Sequence, residues 1–115
     1  SIPASVTHID TLAFDFCYSL KSIVIPQGIT TIYPHTFYGC ESLTSVTIPN
    51  SVTTIGSAAF LGCGSLTSIT IPEGVTSIGN AAFQNCRKLK DVSIPKSVTS
   101  VGKDAFKGCK FEYKE

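Results

Sequence analysis

The sequence predicts a β-rich α/β solenoid of five 23-residue coils, each carrying short strands and one short 3₁₀ or α helical turn. Three observations lead there. The dipeptide Ile-Pro returns at Ile2, Ile25, Ile48, Ile71 and Ile94, a constant step of 23. Phenylalanines (Phe14, Phe37, Phe60, Phe83, Phe106) and cysteines (Cys17, Cys40, Cys63, Cys86, Cys109) keep the same step without one insertion or deletion. Within each copy the spacing of apolar residues changes along the chain, so one copy holds more than one kind of element.

The third copy serves as the example. Val46 and Ile48 alternate about polar Thr47, the two-residue period of a strand with one buried face. Pro49 has no N–H to continue a ladder, so that strand ends there. Ser51 or Gly74, two residues past the proline, suits a turn. The β-branched stretch Val52–Ile55 reads as a second short strand, stopped by Gly56. Ser57 to Cys63 is the only helix-friendly stretch, with Ser57 as its cap and Phe60 and Cys63 on one face. The expected core of this coil is Ile48, Val52, Ile55, Ala59, Phe60, Cys63, Leu66 and Ile69. One coil cannot bury its own apolar side, but stacking at the ~4.8 Å strand spacing turns each repeated residue into a ladder.

The chain reads as one domain over residues 1–115, with coils at 2–24, 25–47, 48–70, 71–93 and 94–115. Without an initiating Met or a leader it reads as a fragment of a larger protein. It is 43% hydrophobic and only 15% charged, and 14 Ser and 13 Thr supply the polar surface instead. A net charge of +1 argues against nucleic acid as a partner, since phosphate binding needs concentrated Lys and Arg. No apolar run reaches the ~18–20 residues of a membrane span.

The motif Leu-x-x-Val-x-Ile-Pro-x-x-Val-Thr-x-Ile-Gly-x-x-Ala-Phe-x-x-Cys stands at Leu43–Cys63 and again, with Ile69 for Val, at Leu66–Cys86. It resembles the BspA-like class of leucine-rich repeat. The resemblance implies a curved, right-handed leucine-rich-repeat superhelix with a parallel sheet from the Leu-x-x-Val-x-Ile segments. It also implies an extracellular or cell-surface location in large surface or secreted proteins. There such arrays are thought to bind host matrix proteins or other cells. The class carries no catalytic residues to transfer.

Departures from the motif mark where function or capping would show. In the first coil Asp10 replaces the Gly, and Phe16 and Tyr18 add aromatic bulk. In the second, Tyr33-Pro34-His35-Thr36 replaces Gly-x-Ala-Ala, with Pro34 suited to a first helical turn. After Cys109 the pattern fails at Phe111, Glu112 and Tyr113. Exposed aromatics with a polar rim look like interface anchors, so Asp15, Tyr18, Tyr33, His35, Tyr38 and Glu41 are the candidate partner-binding residues. Phe16 and Tyr18 have a second reading, as a cover for the open end of the first coil.

Other features have plain readings. Five cysteines at this spacing match no zinc signature and read as a reduced core ladder rather than bridges or a metal site. The strand-face columns Ser22, Ser45, Ser68, Asp91 and Val24, Thr47, Thr70, Ser93 point outward; they solvate the face, or meet a glycan. Residues 86–115 hold eight of the nine basic residues, net +4, while residues 1–85 are net −3. The basic end either attracts acidic partners or keeps the terminal repeat soluble. His8 and His35 are the only neutral-pH bases, with Asp15 a neighbour of His35. No nucleophile elbow or phosphate loop accompanies them, so neither catalysis nor a cofactor is expected. Thin coils leave no ~300 Å³ cavity, so recognition is expected over a broad surface. Uncapped coil ends also leave end-to-end self-association open.

Overall fold

A computed structural model describes residues 2–111. Its strands follow in order as β1 (Ser22–Val24), β2 (Thr31–Ile32), β3 (Ser45–Thr47), β4 (Thr54–Ile55), β5 (Ser68–Thr70), β6 (Ser77–Ile78), β7 (Asp91–Ser93) and β8 (Ser100–Val101). Every pairing is parallel and joins residues 23 apart, as Ser22 with Ser45 and Thr31 with Thr54. A chain that repeats every 23 residues meets its own image one coil later, so parallel in-register pairing follows from the period. The chain is a parallel β-solenoid. Along one side β2-β4-β6-β8 form a continuous sheet; along another β1-β3 and β5-β7 form two separate pairs.

The core lies between these sides. All eight apolar residues expected inside the third coil are buried. Phe14, Phe37, Phe60, Phe83 and Phe106 stack with centroids 5.1–5.3 Å apart and planes within 5°. Leu43, Leu66 and Leu89 and the three central cysteines are fully buried beside them.

The expected helical turn is not found among the described residues. Consecutive β-turns take its place, and the reason is where the amides go. Ala59, Leu61 and Cys63 donate to carbonyls three residues back, those of Gly56, Ala58 and Phe60. Ala58, Phe60 and Gly62 donate instead to Asn80, Ala82 and Gln84 of the next coil, at 2.7–2.9 Å. A helix would direct its amides inward along its own axis, whereas this stack uses alternate amides to tie coil to coil. The cost is left-handed backbone at Leu12, His35, Ala58, Ala81 and Asp104, with φ of 55–67°. Pro34 accordingly occupies the second position of a β-turn closed by Thr36 N–H on the Tyr33 carbonyl, not a helical first turn.

The sheet implied for the Leu-x-x-Val-x-Ile segments is broken between β3 and β5. The turns that follow these strands alternate in chemistry. Gly28 and Gly74 are left-handed, at φ of 103° and 101°, while Ser51 and Ser97 hold the same place and use their hydroxyls. Ser51 Oγ donates to the Ile29 carbonyl at 2.7 Å and Ser97 Oγ to the Val75 carbonyl at 2.8 Å. The turns after β1 and β3 are thus clipped together, as are those after β5 and β7, and the break falls where no clip exists. A polar cleft of about 340 Å³ opens there between Ser45, Thr47, Ser68 and Thr70.

The first coil is attached differently from the others. Gly56, Gly79 and Gly102 sit where the preceding coil's backbone passes; a Cβ on Gly56 would lie 2.7 Å from Pro34 N. Their amides donate to Ile32, Ile55 and Ile78. The second coil has Tyr33 at this place, and a side chain forbids so close an approach. Among the described residues no matching bond joins Tyr33 to Ile9, and no strand of the first coil lies opposite β2. It is held at the turn edge instead, by Phe14 N–H on Thr36 O and Phe16 N–H on Tyr38 O.

The outer face of the first coil, on which no other described coil stacks, carries an apolar cleft of about 530 Å³ lined by Ile2, Pro3, Phe14, Leu20, Ile23 and Val24. This cleft and the polar one correct the expectation of no cavity near 300 Å³: one is the uncovered end of the stack, the other lies at the break between β3 and β5. At the other end Phe111 tilts 53° over Phe106 at 5.4 Å and closes the stack. Of the residues after the motif fails, Glu112 and Tyr113 lie outside the described residues, as do Lys114 and Glu115.

Candidate functional site

The turn edge carries most of the residues singled out in the sequence. Each coil places two left-handed residues along this edge. The second of them reads Phe16, Gly39, Gly62, Asn85 and Gly108, all with φ between 54° and 82°. A bulky residue at such a φ is uncommon, since its Cβ crowds the following carbonyl. Phe16 holds it because its amide is tied to Tyr38 O at 2.7 Å and its ring packs against Gly39. A Cβ on Gly39 would come within 2.6 Å of that ring, so this seat requires glycine.

Around Phe16 the rings form one chain of contacts. Tyr38 meets it edge-on at 5.2 Å and 83°, Tyr18 is tilted against it at 5.8 Å, and His35 packs on Tyr38 at 5.2 Å. Phe16 is 46% exposed and Tyr18 55%, so the cluster faces solvent. Of the six candidates, the structure joins Tyr18, Tyr38 and His35 through a residue outside that set. The signal for Phe16 was in the sequence: it stands alone in a column otherwise of Gly and Asn.

The remaining candidates separate. Tyr33 pairs with His8 at 4.9 Å, on the side where the first coil is displaced. Asp15 is half-buried and one of its carboxylate oxygens, Oδ1, is buried without a hydrogen-bond partner. It makes no hydrogen bond with His35, whose contact is Tyr38. Glu41 is exposed on the same edge. Among the described residues no group of three or more His, Cys, Asp or Glu is placed to hold a metal, and no helix is long and apolar enough to cross a membrane.

A profile described as the BspA type leucine rich repeat region matches residues 1–112, in six copies against the five Ile-Pro repeats. The chain belongs to the BspA-type leucine-rich repeat family. Among solved structures it is similar to a Treponema pallidum (T. pallidum) leucine-rich repeat protein, TpLRR, with 36% identity and a TM-score of 0.83 over 84% of this chain and 45% of that one. It is similar to a leucine-rich repeat protein from Bacteroides ovatus at 27% identity and a TM-score of 0.70, covering 96% of this chain and 40% of that one. A leucine-rich cell surface protein from Faecalibacterium prausnitzii shares 34% identity with a TM-score of 0.63, covering 94% and 38%. This leucine-rich repeat chain spans less than half the length of each. No curated protein matches it. Repeats of this family are generally non-catalytic.

The family's Ala-Phe-x-x-Cys element has a clear chemical role in this leucine-rich repeat. Each thiol donates to the Phe carbonyl of the coil before it: Cys40 to Phe14, Cys63 to Phe37, Cys86 to Phe60 and Cys109 to Phe83, at 3.0–3.3 Å. Those carbonyls also accept the amide of the cysteine in their own coil, so both acceptor sites are used. All five cysteines are unbridged. Burial pushes the Cys40 thiol up to about 12 and Cys109 to about 11, and the neighbouring Cys63 thiol together with burial raises Cys86 as well. Cys40, Cys86 and Cys109 are thus structural thiols, held protonated.

Proposed function

We propose that this chain is a non-catalytic protein-binding module, adhesive in role, within a longer surface or secreted protein. In this reading residues 1–115 form a single right-handed domain of five stacked coils. Its ligands are host matrix proteins or other cell-surface proteins. One observation carries the reading. The exposed large apolar side chains among the described residues are Leu12, Phe16, Tyr18 and Val24, and all four fall in the first coil. A soluble surface rarely gathers such residues at one place unless something covers them. Tyr18, Tyr38 and His35 make the contact with Phe16, rimmed by Asp15 and Glu41, and Tyr33 supports from the neighbouring side.

The test is binding of immobilised matrix proteins by the chain and by Phe16→Ala, Tyr18→Ala and Tyr38→Ala. Each substitution weakens binding by about 1 kcal/mol or more if these rings are anchors. Unchanged attachment would instead favour a spacer that only holds another domain at a distance. A glycan is the second reading, favoured by the ring platform itself; it calls for saturable polysaccharide binding lost in the same variants.

A further inference from the structure

Two columns run side by side along the turn edge. One reads Asp15, Tyr38, Leu61, Gln84 and Lys107; the other reads Tyr18, Glu41, Gly64, Arg87 and Lys110. All ten are exposed or half-exposed. Taken from both ends toward the middle, they are complementary. Asp15 mirrors Lys107, Glu41 mirrors Arg87, and the exposed Tyr18 ring mirrors the Lys110 ammonium. Leu61 and Gly64 stand at the centre. Among the described residues the ion pair is His8 with Asp10, so the charges on this edge form none there.

We propose that two copies of this chain dock edge to edge and antiparallel, about a two-fold axis at Leu61 and Gly64. This rests on the reading of the turn edge as a contact surface and adds a second copy of the chain to what that surface binds. A two-fold axis lying in the contact plane returns each column onto itself with the order reversed, which is the condition for an isologous interface. Glu41 then faces the partner's Arg87, Asp15 the partner's Lys107, and Tyr18 the partner's Lys110 in cation–π contact. Gly62 and Gly64 let the centres approach, and Leu61 meets its own copy. Arg87 already lies along this column, with Nη2 3.4 Å from where a Gly64 side chain would begin. End-to-end stacking is the competing arrangement, and at the fifth coil Phe111 tilted over Phe106 covers the end it would use.

The edge spans four ring spacings of 5.1–5.3 Å and is one turn wide. That is short of the ~1,200 Å² of a permanent interface, so the dimer is weak, reversible and governed by charge. Sedimentation velocity of the whole 115-residue chain, from micromolar to millimolar and at low and high salt, tests it. The expected result is a dimer that disperses as salt screens the pairs. Glu41→Lys and Arg87→Glu each weaken it by ~fivefold or more, since every change acts twice across the two-fold. The double variant E41K/R87E recovers the dimer, and circular dichroism of these surface variants is unchanged. A chain that stays monomeric throughout overturns the proposal, as does a dimer indifferent to salt and to both charge reversals. Neither outcome touches binding of a foreign protein, which the alanine series above tests separately.

Discussion

Phe16 rests on Gly39 with its ring edge-on to Tyr38, 5.2 Å between centroids, and it does so from a left-handed backbone that disfavours phenylalanine. Strain of this kind persists where the surroundings over-determine it, and it concentrates at functional positions. A glycine would occupy the same φ freely, as Gly39, Gly62 and Gly108 do in their own coils. If the proposed contact role is right, the ring at this place matters more for binding than for folding.

Phe16→Gly is accordingly expected to leave stability within about 1 kcal/mol of the parent, relief of strain offsetting the lost ring contacts. Partner binding falls in the same variant. Urea unfolding alongside a binding titration separates the two effects; a large loss of stability would assign Phe16 to packing.

Phe60→Ala behaves in the opposite way. Its ring is fully buried, with stacked neighbours 5.1 and 5.2 Å away on either side. Truncation leaves a cavity in the middle of the ladder and costs about 3–5 kcal/mol. Phe14, partly buried at the open end, loses less on the same change. Thermal or urea melts of the two variants would reveal that order.

Gly79→Ala places a methyl 2.5 Å from the backbone N of Ser57. Backbone cannot move aside as a side-chain end would, so the coils must shift apart at this edge. The expected cost is about 1–3 kcal/mol. Faster amide exchange at Gly79, whose N–H donates to Ile55, should accompany it.

The thiol ladder makes stability fall in alkali. Burial raises Cys40 and Cys109 in the folded chain from an ordinary 9.0 to about 12 and about 11. Above pH 9 the unfolded state loses these protons while the folded state keeps them, so it binds fewer. The stabilisation is whole below pH 9 and is lost as pH climbs from about 9 to about 12. Urea midpoints across that range should drop more steeply for the parent than for Cys40→Ala. At neutral pH a thiol reagent should reach half-buried Cys17 before the fully buried Cys63 and Cys86.

The period of 23 in the residues Ile-Pro, Phe and Cys determined by itself that coils stack, which residues form ladders and which line the core. Stacking identical units leaves a chain no freer choice, because each apolar side can be covered only by its own image. What lies along a single coil was harder to read. Ser57–Cys63 has helical spacing, yet whether its amides turn inward or reach across depends on a neighbouring coil that local sequence does not contain. The broken sheet has the same origin: Ser51 and Gly74 both suit a turn, and only the stack distinguishes a hydroxyl that clips two coils from a glycine that does not. Tyr33 and Tyr38 were both candidates in sequence, but Tyr33 stands where the later coils carry glycine and meets His8, whereas Tyr38 stands on the turn edge and meets Phe16. Tertiary structure decided that the exposed ring cluster gathers around Phe16, because a ring seated on Gly39 is a relation between two coils rather than a property of either.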